Sequence, residues 1–150
     1  MFNLFRKKKS TKNYVNESNS GFLSEFSDEQ KAAMIYSLML LSSANGNYNE
    51  EKLAFTENQA GTLKFNLEGV AMINQMERKA DYAYSIIKRF SSKQKDWYSI
   101  LLGSGMFIGG NPTDNEKKIA QIILDSTGIS NLQFDTANNK ANAIMNKFLK

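Results

Sequence analysis

Apolar and polar positions alternate with helical periods over most of the chain, and the first such stretch opens on a cap signal. Ser27, Asp28, Glu29 and Gln30 spell a capping box, in which the Ser27 hydroxyl accepts from the third helical amide and Gln30 reaches back to the cap amide. A helix is predicted from there to about Ser43. Its apolar residues, Ala33, Met34, Ile35, Tyr36, Leu38, Met39, Leu40 and Leu41, cover nearly the whole circumference, the pattern of a central helix buried on most sides. Asn45 and Gly46 then supply turn chemistry. Asn49 caps a second helix that carries Glu50 and Glu51 in its first turn, where the dipole favours them, and runs to about Lys64. Val70, Ile73 and Met76 suggest a third, weaker helix, and Ala83, Ile86, Ile87 and Phe90 place one apolar stripe on a fourth.

Ser91 or Ser92 stops the fourth helix and caps the fifth, whose Trp97, Tyr98, Ile100, Leu101, Leu102, Met106 and Phe107 again cover most of its surface. Gly109, Gly110, Asn111 and Pro112 end it. Thr113 with Glu116 is a second capping box, opening a sixth helix whose Ile119, Ile122 and Ile123 are predicted to face inward and whose end is marked by Gly128. A last helix from about Thr136 is expected to pack back on the bundle through Ala137, Ala141, Ile144, Met145 and Phe148. The expected fold is all-α: a single-domain bundle of about seven helices over residues 25–150. Ahead of it, Ser10 to Ser24 are rich in Ser, Asn, Thr and Lys with few apolar anchors, so residues 1–24 read as a flexible tail and linker.

The two halves resemble each other. Tyr36, Ser37, Leu38, Met39, Leu40 and Ser42 match Tyr98, Ser99, Ile100, Leu101, Leu102 and Ser104, and a two-residue gap then aligns Asn49 with Thr113 as caps. Two helical hairpins can look alike simply because all do, but the agreement in cap position and turn residues favours an internal pseudo-twofold repeat of helix-loop-helix units, with two buried helices side by side and an outer amphipathic helix after each.

Composition narrows the chemistry. A chain of 150 residues with 41% apolar content is long enough to bury a core without a staple. It has neither Cys nor His, which excludes disulfides, thiolate nucleophiles and the commonest general base, and leaves only hard oxygen ligands for any metal. The formal charge is +4, but Arg6, Lys7, Lys8, Lys9 and Lys12 supply +5 of it, and residues 13–150 hold 14 basic and 15 acidic side chains. The folded part thus lacks the clustered excess that phosphate neutralisation requires, and nucleic acid is not an expected partner. Phe2, Leu4 and Phe5 precede the basic run, the reverse of a secretory signal, and no apolar stretch reaches the roughly 18 residues of a membrane span. A cytoplasmic protein is expected. Phe2, Leu4, Phe5, Arg6, Lys7, Lys8 and Lys9 suit reversible contact with an anionic membrane surface, or else form a solubilising start.

The frame of buried helix, small-residue turn, acidic helix start and closing Gly resembles the TerB-like tellurite-resistance family, which includes the membrane-side portion of a DnaJ-type co-chaperone. The resemblance covers roughly residues 25–150. It implies a repeat carrying an A-D-G turn with a Glu seven residues after the Asp, and a cation-binding acidic surface. Here the first turn reads Ala44, Asn45, Gly46, with Lys52 seven residues after Asn45; the second reads Gly109, Gly110, Asn111, with Glu116 in the Glu position.

Candidate oxygen ligands for a weakly bound Ca or Mg ion are Asn45, Asn47, Asn49, Glu50 and Glu51 in the first loop, with Asp114 and Glu116 across from them. The same residues also have ordinary duties: Asn49 and Thr113 as caps, the acids as dipole complements. No carboxylate, Lys or Tyr pair sits at a spacing that demands acid–base work, and Tyr82, Tyr84, Trp97 and the seven Met read as packing residues. The expected function is a non-enzymatic bacterial stress-response or membrane-associated module that docks a protein partner through the loop face shared by the repeats. A divalent-cation-binding stress protein and a small carboxylate hydrolase are the alternatives.

Overall fold

The structure is a computed structural model and describes residues 26–46, 49–62, 71–72 and 79–149. Six helices lie among the described residues: α1 (Asp28–Ser42), α2 (Glu50–Thr62), α3 (Lys79–Lys88), α4 (Ser92–Phe107), α5 (Asp114–Thr127) and α6 (Asn131–Leu149). Among those residues there is no strand, and the architecture is an all-α bundle. The expected tail and linker, Asn47, and the stretch around Val70, Ile73 and Met76 lie outside the described residues, apart from helical Ala71 and Met72.

Helix boundaries follow local chemistry. Ser27 and Gln30 exchange the two capping-box bonds at 3.2 and 2.9 Å, and Ser91 does the same with Gln94 at the head of α4. Asn49 Oδ1 accepts from the Lys52 amide to start α2, and Gly128 ends α5 in the left-handed conformation at φ +70°. The last helix begins earlier than the apolar pattern implies, at Asn131 instead of about Thr136. Ser130 Oγ accepts from the Gln133 amide, so a polar cap sets the start, while Leu132 in the first turn is 77% exposed and contributes nothing to an inward stripe.

α1 is the central helix, packed against α2, α3, α4 and α5. Its Ala32, Ala33, Met34, Ile35, Leu38 and Leu41 are buried with Ala83, Ile86, Ile87 and Phe90 from α3 and the turn after it, and with Ile123 and Leu124 from α5. α4 crosses this core at Tyr98. The Tyr98 ring is fully buried, meets Phe90 edge-on at 6.3 Å between centroids, and donates its hydroxyl to Ser37 Oγ at 2.6 Å. Ser37 in turn donates to the Met34 carbonyl at 2.7 Å, so the one fully buried phenol among the described residues is tied into a polar chain. Burial pushes the Tyr98 phenol well above its ordinary range, against the opposing pull of the Ser37 hydrogen bond.

Four apolar residues expected to pack inward face outward instead. Ile122 lies opposite the buried stripe of Glu116, Ala120, Ile123, Leu124 and Thr127 on α5, and Phe107 closes α4 beyond its last core contact; both are exposed. Ile144 and Met145 are exposed as well, because α6 packs chiefly on α4 and residues 142–147 are all exposed. Its seam is fixed at Asn138, whose Nδ2 donates to the carbonyls of Ser99 and Phe134 at 3.0 and 2.9 Å; a Cβ on Gly103 would overlap that amide. No helix among the described residues is long and apolar enough to cross a membrane.

Candidate functional site

The two turns singled out by the sequence meet at one end of the bundle. The turn after α1 closes through the Gly46 amide on the Ser43 carbonyl, with Gly46 at φ +91°, and the Asn49 amide returns to the Ser42 carbonyl at 2.8 Å. The turn after α4 uses Gly109 and Gly110 at φ +82° and +120°, a region that L side chains rarely enter. The Glu51 carboxylate lies over Gly109, where a Cβ would come within 2.5 Å of Oε2 and turn that exposed side chain aside, so the positive φ is what holds the position to glycine. Thr113 links the loops, its hydroxyl donating to Asn45 Oδ1 at 3.1 Å while accepting from the Glu116 amide at 3.2 Å.

Beneath the turns lies Lys52, which the sequence marked only as a basic residue in an acidic position. Its side chain is buried, and its ammonium donates to the carbonyls of Gly105, Met106 and Ile108 at 2.9, 2.6 and 3.3 Å. These carbonyls belong to the end of α4, where a helix leaves its last four acceptors without intrahelical donors and carries its negative dipole end. Ile108 N–H and Gly110 N–H take the Ser104 and Phe107 carbonyls, and Lys52 takes the others from across the bundle. Glu116 is the second buried charge. Its Oε1 accepts from the Thr113 amide at 2.7 Å and its Oε2 stands 3.6 Å from Lys52 Nζ. One ammonium therefore joins α2, the end of α4 and the start of α5.

The candidate ligands divide accordingly. Asn45, Asn49 and Glu116 are engaged as loop tie, cap and ion pair. Glu50, Glu51 and Asp114 are exposed in the first turns of α2 and α5, and Asn47 lies outside the described residues, as do Phe2, Leu4, Phe5 and Arg6 to Lys9. Among the described residues no three acidic side chains gather as a metal ion would need. One signal pointed to Lys52. A cation in the first turn of a helix opposes the dipole, and such a misplaced charge implies a tertiary partner. Comparison with known proteins finds no match to this chain among family models, curated proteins or solved structures.

Proposed function

We propose that the chain is a non-enzymatic, TerB-like interaction module, two helix-loop-helix repeats related by a pseudo-twofold, that docks a protein partner through the loop face. The observation that carries this reading is the cross-loop frame. Lys52, Glu116, Thr113 and Asn45 tie the two turns together and leave Glu50, Glu51 and Asp114 facing solvent. Acids held on rigid helix starts present a preorganised surface, which lowers the ordering cost of binding. The complementary partner carries a basic segment. The reading gives the chain no catalytic residue and no resident metal, and places it in a bacterial stress-response or membrane-associated system. Phe2, Leu4, Phe5 and the basic run Arg6 to Lys9 would then hold the module reversibly at an anionic membrane surface.

A photo-crosslinking residue at position 51, with a control at exposed Asp125 near the far end of α5, tests the docking face in the native host. The expected result is a discrete adduct from position 51 alone, whose protein component, once purified, binds a Glu50→Lys/Asp114→Lys variant at least about tenfold more weakly. Equal adducts from both positions, or affinity indifferent to the charge reversal, would sink the reading.

A further inference from the structure

The Lys52 ammonium is held as a bound ion is held. Its three N–H donors meet three carbonyl oxygens, from Gly105, Met106 and Ile108, and a carboxylate oxygen of Glu116 stands beside them. The cradle comes from backbone at the end of α4 and from a side chain on α5, whereas the ion arrives on α2, so the oxygens and their cation belong to separate elements. Lys52 is also the one buried lysine among the described residues. We propose that these four oxygens form a binding site for a primary ammonium group, which Lys52 fills in cis.

The geometry favours that ligand class over the alternatives. A compact –NH3+ has as many donors as the site has carbonyls, whereas the planar guanidinium of arginine presents a fork suited to carboxylates and phosphates. A calcium ion takes six to eight oxygens and magnesium a near-octahedral set, and four oxygens with one carboxylate satisfy neither. The cradle holds the end of α4, α2 and the start of α5 together whichever protein meets the loops above it.

Lys52→Ala removes three methylenes and the ammonium, the atoms of n-propylammonium. The variant is expected to unfold at lower temperature than the wild-type chain. n-Propylammonium chloride, at about ten times its dissociation constant, should raise its midpoint by about 3–6 °C more than tetramethylammonium or potassium chloride at the same ionic strength. The wild-type protein should not distinguish the three salts. An equal rise in all three, or in potassium chloride as much as in propylammonium chloride, overturns the assignment. Should the variant fail to fold, reductive methylation of the wild-type chain gives a second reading. Lys52 is expected to be modified at least about tenfold more slowly than exposed Lys93, Lys117 and Lys118, because its amine is engaged with three carbonyls inside the fold. Methylation at their common rate would refute the site.

Discussion

Replacing Lys52 with methionine, which keeps the length of the stem and deletes the charge, is expected to lower the unfolding free energy by roughly 3–5 kcal/mol. The loss comes from what stays behind. The carbonyls of Gly105, Met106 and Ile108 would have no ammonium donor, and the Glu116 carboxylate would be buried without its countercharge. Each unsatisfied buried polar group costs about 1–3 kcal/mol, and among the described residues there is no second buried cation beside the first. Urea titration at neutral pH measures the effect directly. Adding Glu116→Gln to Lys52→Met should recover part of the loss by removing the stranded charge, since neighbours in one network are not additive. A single variant within about 0.5 kcal/mol of wild type would mean that solvent reaches the cradle and that Lys52 is dispensable.

Tyr98→Ala should cost a comparable amount, about 3–5 kcal/mol, for a different physical reason. The ring is fully buried at the crossing of α4 over α1, against Phe90, and its removal leaves a cavity that rigid helices on both sides cannot close. Tyr98→Phe separates packing from the hydrogen bond. It keeps the ring and strips Ser37 of its donor, so a smaller loss of about 0.5–1.5 kcal/mol is expected, Ser37 still donating to the Met34 carbonyl. Guanidinium chloride unfolding of the two variants checks the ratio; equal losses would show that the hydroxyl, and not the ring, holds the crossing.

The features that were legible in the sequence are those written in short-range spacing. The boxes at Ser27/Gln30 and Thr113/Glu116 each place cap and partner three residues apart, and the stripe of Ala83, Ile86, Ile87 and Phe90 lies on one face of α3 and its exit. Orientation was harder to read where hydrophobicity alone had to decide it. Ile122, Ile144 and Met145 carry the same apolar signal as their buried neighbours, yet only packing partners decide which side faces inward. The ammonium cradle was out of reach for another reason. Three of its four oxygens are backbone carbonyls 53, 54 and 56 residues from Lys52, and a carbonyl has no residue signature. Gly103 is a related case, since its lack of a Cβ matters only once Asn138 has been brought against it by α6.

The loop face is assembled on an internal cation, the Lys52 ammonium, so the most direct measurement is thermal unfolding of the wild-type chain with and without millimolar Ca²⁺, Mg²⁺ or Mn²⁺. At about 100 times its dissociation constant, a bound ion adds about 2.7 kcal/mol and would raise the midpoint by roughly 5–10 °C in a domain of this size. With Lys52 already seated against Glu116, the predicted result is an unchanged midpoint in all three ions. A rise of that size, abolished by Glu116→Gln, would contradict it and assign the loop face to a free cation.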